Sequence, residues 1–401
     1  MKKYIQIIGY SLLVIAAGSI TWQVMAAVPI IDTIVGNGTA GFLGDNGLAK
    51  EAKLDTPTGV ALDGAGNLYI ADRFNNRIRQ VITATGIIST VVGSGLTGPG
   101  NGGFGGDNGV ATEAQLNLPS SIVVDLSGNL YIADTLNNRV RQVTTGTQVI
   151  TTVAGDGSEA FAGDNGLAIN AQLQGPTGIA TDGQGDLYIA DANNNRIRKV
   201  VMATGVITTV AGSGPTGHAN GDFSGDGGLA TEAALNYPSN VTVDKAGNLY
   251  IADSYNHRIR QVLDATGVIT TVAGSGLSGP GNGGYSGDGG AATEARLNFP
   301  TGVAVDKLGN LYIADNGNQR IRKVMVATGV ITTVAGTGVA GYGGDGEVAI
   351  EAQLSLPTAI TLDSWGNLYI ADQDNHRIRR IEGLGVWEEL YLPIIVKNKM
   401  N

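Results

Sequence analysis

The stretch "GNLYIADRFNNRIRQV", Gly66–Val81, returns five more times with small changes, at Gly128–Val143, Gly185–Val200, Gly247–Val262, Gly309–Val324 and Gly366–Ile381. The aspartate of each "LYIAD" stands at 72, 134, 191, 253, 315 and 372, in steps of 62, 57, 62, 62 and 57 residues. A second aspartate, in loops such as "GDNG", keeps the same steps at 45, 107, 164, 226, 288 and 345. The five-residue difference therefore lies in one loop of each unit. A period near 60 sustained six times is a repeat architecture, and it overrides the two or three domains that 401 residues would otherwise suggest.

Each unit reads as four short strands. The first is "GVALD" (Gly59–Asp63), closed by the turn Asp63-Gly64-Ala65-Gly66, with Asp first and Gly last. Next come "NLYIAD" (Asn67–Asp72), a turn at 72–75, "RIRQV" (Arg77–Val81) and "IISTVVG" (Ile87–Gly93). Leu68-Tyr69-Ile70-Ala71 is apolar at every position, as a strand covered on both faces must be. Six four-stranded antiparallel units predict an all-β, six-bladed β-propeller. The sixth unit lacks its fourth strand, since "RRIEGLGVWEEL" departs from the pattern, while "IIDTIVG" (Ile30–Gly36) precedes the first unit unpaired. That N-terminal strand is expected to complete blade six and close the ring.

The pattern P-x-G-[IV]-A-x-D-x-x-G-N-L-Y-I-A-D-x-x-N-x-R-I-R resembles the NHL repeat of the TolB-like propeller class. "GDGGLATEAALNYPSNVTVD" (Gly225–Asp244) is similar to the NHL units of teneurin ectodomains and of secreted bacterial proteins. The resemblance covers residues 30–381 and implies the six-bladed fold. It implies no single activity, since the family spans protein- and RNA-binding platforms, sensor ectodomains and an amidating lyase.

Residues 1–27 have the layout of a secretory signal peptide, with Lys2 and Lys3, an apolar run from Ile5 to Trp22, and Val24-Met25-Ala26 as a cleavage site. The alternative is an uncleaved N-terminal anchor. The expected organisation is thus a leader at 1–27, a propeller at 28–383 and a tail at 384–401, placing the protein outside the cytoplasm as a secreted or cell-surface monomer. Sixty-two glycines without a collagen triplet indicate many tight turns, and the absence of cysteine excludes disulfides and thiolate metal sites. The net charge is −10, and 12 of the 25 Lys and Arg are the paired arginines of the third strands, so nucleic acid is not an expected partner. A protein or extracellular polymer fits better, with membrane contact only through an uncleaved leader or the tail. In the tail "EELYLPIIVKNKMN", the apolar Leu390–Val396 is too short to span a bilayer as a helix. It reads as a segment packed on the propeller's side, or else as a retention signal.

The fixed polar residues recur equally in all units, whereas catalysis needs one unequal constellation. The pairs Asp72 and Arg77, Asp134 and Arg139, Asp191 and Arg196, Asp253 and Arg258, Asp315 and Arg320, and Asp372 and Arg377 therefore read as structural turn locks. In this reading Asp72 accepts amides of its own turn, Asn75 takes a left-handed conformation, and Arg77 and Arg79 bridge carboxylates between blades. Three residues before each loop aspartate stands an aromatic (Phe42, Phe104, Phe161, Phe223, Tyr285, Tyr342), expected to tuck under the inter-blade connection. No cofactor is predicted. Calcium at these loops is the lesser alternative, because each loop offers a single carboxylate.

The candidate ligand site is the channel mouth, where each inner strand begins with a hydroxyl: Thr58, Ser120, Thr177, Ser239, Thr301 and Thr358. Among the residues that follow them, Ser121 and Asn240 are the most distinctive. No catalytic and no metal-ligating residue is assigned. His257 and His376 share one equivalent turn position and His218 lies in a loop, so the three histidines do not form a zinc set. The glycine-rich insertions in the second, fourth and fifth loops are candidates for contact surface or neutral drift. The sequence thus points to a non-catalytic binding or interaction module. A hydrolase or lyase using the channel mouth, lactonase-like or amidating-lyase-like, is the alternative.

Overall fold

The computed structural model describes residues 28–217, 220–276 and 278–384 in full, and the backbone of 11–16 and 19–24. The side chains of residues 1–27, expected to form a leader, His218, and the expected tail from residue 385 lie outside the described residues. Within residues 1–27, Ser11–Ala16 and Ser19–Val24 pair as a two-stranded antiparallel sheet of their own. No helix among the described residues is long and apolar enough to cross a membrane.

Six antiparallel sheets form the ring. In blade one the order from the axis outward is Pro57–Leu62, Leu68–Asp72, Arg77–Ile82 and Ile87–Val92. Blades two to five repeat it from inner strands Pro119–Val124, Pro176–Thr181, Pro238–Val243 and Pro300–Val305. In blade six, Pro357–Leu362, Leu368–Asp372 and Arg377–Ile381 come from the C-terminal end, and Ile30–Val35 supplies the fourth strand, with the two-residue Glu347–Val348 paired outside it. Its register runs Ile378↔Val35, Arg379↔Thr33 and Ile381↔Ile31, matching Ile78↔Val92 and Arg79↔Thr90 in blade one. Gly36 ends the borrowed strand at φ +91°, where a β-carbon would fall 2.4 Å from the His376 carbonyl oxygen. Gly93 plays the same part in blade one, 2.5 Å from the Asn76 oxygen. The N-terminal strand is an ordinary fourth strand in every respect but its position in the chain.

The core consists of six apolar seams, one between each pair of neighbouring blades. Strand alternation sends Tyr69 and Ala71 into the seam with blade two, against Leu130 and Ile132. Leu68 and Ile70 point the other way, into the seam with blade six, against Tyr369 and Ala371. This is why "LYIA" is apolar throughout. Both faces of the strand are interior.

Candidate functional site

Each "D-x-x-N-x-R-x-R" motif builds the same fastening, and it differs in three respects from the expected lock. The backbone amide that Asp72 accepts is not one of its own turn but that of Asp55 at 2.7 Å, on the segment entering the inner strand. Asn75 is not the left-handed residue. It donates to Asp72 at 2.8 Å and to the Gly41 carbonyl at 2.8 Å, while Asn76 takes φ +52°. The guanidinium paired with Asp72 belongs to Arg79, not Arg77. Arg79 is fully buried, 3.3 Å from Asp72 and 2.7 Å from Asp45, so it ties the incoming loop to one blade and does not bridge two. Arg77 donates to the Asn75 carbonyl at 2.7 Å. Arg77 and Arg79, two residues apart on one strand face, stack on the same Phe42 ring at 4.1 and 4.9 Å. The equivalent rings of Phe104, Tyr285 and Tyr342 stay more than 40% exposed, so they lie over the arginines and are not tucked beneath the connection.

Burial pushes Asp72, Asp134, Asp191, Asp253, Asp315 and Asp372 up to about 6, against the opposing pull of amide, Asn and Arg partners. Unfolded aspartate titrates near ~3.9. Between those values the folded chain holds protons that the unfolded chain lacks. Each lock therefore adds stability as pH falls below about 6 and loses it as pH rises through that value. His257, whose burial lowers its pKa, acts in the opposite sense below its unfolded value, and it is one group against six. The melting temperature should thus rise between pH 7 and pH 5. A calorimetric midpoint that falls steadily over that interval would contradict the assignment.

The position after the lock asparagine joins each blade to the next. Asn76, Asn138, Asn195, His257, Gln319 and His376 each accept the amide of the residue before the next inner-strand proline, at 2.6–3.1 Å. In His257 the acceptor is Nδ1, and Nε2 faces the Gly279 carbonyl at 2.9 Å, which sets a neutral Nε2–H tautomer. These histidines are inter-blade latches.

The latched residues, Thr56, Leu118, Tyr237, Phe299 and Leu356, all hold φ between +47° and +54°, and Gly175 takes the place in blade three. A left-handed Tyr or Phe is strained by about 1 kcal/mol or more, and such strain persists where surrounding contacts fix it.

At the axis, Thr58, Ser120, Thr177, Ser239, Thr301 and Thr358 all line one cavity of about 250 Å³. A second, of about 220 Å³, lies along the channel between the inner strands. Ser121, Asn240 and Ala359 line both and form the neck between them. The neck alternates, with Gly59, Gly178 and Gly302 in odd blades facing Ser121, Asn240 and Ala359 in even ones. A β-carbon on Gly178 would fall 2.5 Å from the Asn240 Cα.

Ser120 Oγ lies 2.6 Å from Thr135 Oγ1 and donates to the Thr177 carbonyl at 2.7 Å, and Ser239 pairs likewise with Ser254 and Thr301. Thr58 Oγ1 and Thr177 Oγ1 are buried without a partner. The wall also holds Arg73, Tyr237, Phe299, Asn316 and Gln373, which the sequence reading did not single out. Their signal was there, since the residue after each "LYIAD" runs Arg73, Thr135, Ala192, Ser254, Asn316, Gln373. That is an unequal ring. The cavity lining contains no carboxylate and no imidazole.

The insertions fold onto this same face. Gly98, Gly217 and Gly279 donate to the carbonyls of Phe74, Asn193 and Tyr255 at 2.5–2.7 Å, raising the rim over blades one, three and four.

The family described as the teneurin NHL domain matches residues 36–101, 145–221, 215–279 and 277–341, more than half of the chain. Mouse teneurin-4 is 36% identical over 233 residues, covering 54% of this chain and 8% of its own. Human NHL repeat-containing protein 2 is 28% identical over 339 residues, 78% of this chain and 44% of its own. The chain thus spans less than half the length of these relatives. Among solved structures, a Bacteroides thetaiotaomicron protein of unknown function aligns with TM-score 0.64 at 20% identity, over 93% of this chain and 81% of its own. An auxiliary nutrient binding protein from the same organism aligns at 0.61 and 18% identity, over 88% and 76%. At those identities the likeness is one of fold. With six closed blades, a repeated lock and these sequence matches, the chain belongs to the teneurin NHL domain family of β-propellers.

Proposed function

We propose that this propeller is an extracytoplasmic, non-catalytic binding module whose ligand enters the mouth of the central channel. The observation that carries the reading is the cavity of about 250 Å³ on the axis, walled by a residue from the start of all six inner strands and by the unequal set Arg73, Tyr237, Phe299, Asn316 and Gln373. A concave site with an apolar lining and a few convergent polar groups is where a small molecule binds. The wall offers hydroxyls, amides, one guanidinium and two rings, which can hold a molecule. Its lining is made of groups suited to holding a molecule, without a carboxylate or an imidazole among them, which favours binding over turnover. The insertions on the same face supply a raised rim. The signal-peptide layout of residues 1–27 supports the location.

The test is recovery of the guest. Protein isolated from its native source and denatured should release a small molecule, detected by mass spectrometry in proportion to protein. Ser121→Phe, which fills the neck, should melt close to wild type and release none. Equal recovery from both proteins, or none from wild type, would refute the channel mouth as the site.

A further inference from the structure

The chemistry of the wall is uneven, and this inference rests on the reading of the mouth as a binding site. Arg73 is half-buried in the cavity. Its Nε is buried without an acceptor, and it has no carboxylate partner among the described residues. Its guanidinium carbon lies 5.9 Å from the Phe74 ring, and the Tyr237 phenol is close enough to interact electrostatically. The contrast with the lock arginines is sharp. Arg79, Arg141, Arg198, Arg260, Arg322 and Arg379 each reach two aspartates. A chain of net charge −10 has carboxylates to spare, yet Arg73 faces a cavity that contains none. The acids of the nearby rim are occupied: Asp55 takes the Thr56 hydroxyl at 3.2 Å, and Asp374 takes the Gln373 amide at 3.1 Å.

Three rings gather on the side of blades four and five. Tyr237 and Tyr255 lie 5.1 Å apart, Tyr255 and Phe299 5.1 Å, and Tyr237 and Phe299 6.3 Å at an interplanar angle of 21°. Tyr237 and Phe299 line the cavity, both at φ +51°, and their amides are fixed by Asn195 at 2.8 Å and His257 at 3.0 Å. Blades one, two, three and six place Thr56, Leu118, Gly175 and Leu356 there instead. Two strained aromatics from blades four and five, with a cation from blade one that holds no carboxylate, supply the site's two kinds of recognition group.

We infer that the mouth takes a small monoanionic carboxylic acid with a flat apolar ring, its carboxylate on Arg73 and its ring against Tyr237 and Phe299. A guanidinium with free N–H groups matches a carboxylate in geometry and charge. A phosphate monoester, with nearly two negative charges, would call for a second cation, and no other lysine or arginine lines the cavity. The aromatic pair offers a face for stacking.

The experiment is isothermal titration of the full chain with 2-naphthoate and with its neutral isostere 2-naphthamide. Wild type should bind the acid about ten-fold or more tighter than the amide. Arg73→Gln should bring the acid down to the amide's affinity, leave the amide unchanged, and melt within a few degrees of wild type, since Arg73 holds no carboxylate among the described residues. Tyr237→Leu should weaken both probes. Equal binding of acid and amide, no binding of either, or indifference of the acid to Arg73→Gln would each overturn the assignment. Recovery of a neutral native guest from wild type but not from Ser121→Phe would leave the mouth as a site and remove only its anion preference.

Discussion

Deleting residues 28–36 should replace one cooperative melt with a broad, low-temperature transition or an insoluble chain. The deletion removes the whole Ile30–Val35 strand and Gly36. It strips blade six of its fourth strand and uncovers Arg377–Ile381 as a new sheet edge. It also removes Ile31 and Val35, each fully buried, from the two seams that flank blade six. Two large apolar side chains cost about 2–5 kcal/mol each when lost from a core, before any term for the opened edge. Together these rival the whole stability of an ordinary domain, about 5–15 kcal/mol. Differential scanning calorimetry decides it. A sharp transition within a few degrees of wild type would show that the ring closes without its N-terminal strand.

Arg260→Ala should be the most damaging single substitution in blade four. Arg260 is fully buried between Asp253 at 3.2 Å and Asp226 at 2.7 Å, and it donates to the Ser224 carbonyl at 3.1 Å. Its removal leaves Asp253 buried without a counter-charge, a loss of about 3–5 kcal/mol. Arg258→Ala is the internal control. That residue stacks on Phe223 at 3.9 Å and donates to the Asn256 carbonyl at 2.8 Å, so about 1 kcal/mol is expected. Urea unfolding of the two variants side by side measures both. If Arg260→Ala costs no more than Arg258→Ala, the buried carboxylate is being protonated or hydrated without penalty.

The contrast between those two arginines marks where the sequence stopped being informative. Blade number, strand order and ring closure were legible because each follows from spacing and from apolar runs, which the repeat prints six times. The lock was legible as a motif but not as a wiring diagram. Arg77 and Arg79 are equally invariant and share a strand face, so sequence alone cannot say which reaches Asp72. Nor could it say whether Asp45, in a connecting loop, serves the blade before or after it. The hydroxyl ring at the mouth was legible because proline marks the start of every inner strand. Arg73, Tyr237 and Phe299 were missed for the opposite reason. They occupy positions that vary between units, and a reading guided by what repeats sets variation aside as turn filler. In a ring of near-identical blades, identity builds the scaffold and only departures from it can make a site.

The strand that closes the ring is also the first part of the propeller to be synthesised, and its hydrogen-bond partner, Arg377–Ile381, is the last. Through the making of five blades Ile30–Val35 has no mate, and blade one has no neighbour on one side. Every shorter chain therefore carries an open edge and an uncovered seam, the features that invite wrong pairing with another molecule. The final contact joins residues more than three hundred positions apart, so its loop-closure entropy falls on one late event and is not spread along the chain. Completion of the ring is thus tied to the emergence of Arg377–Ile381.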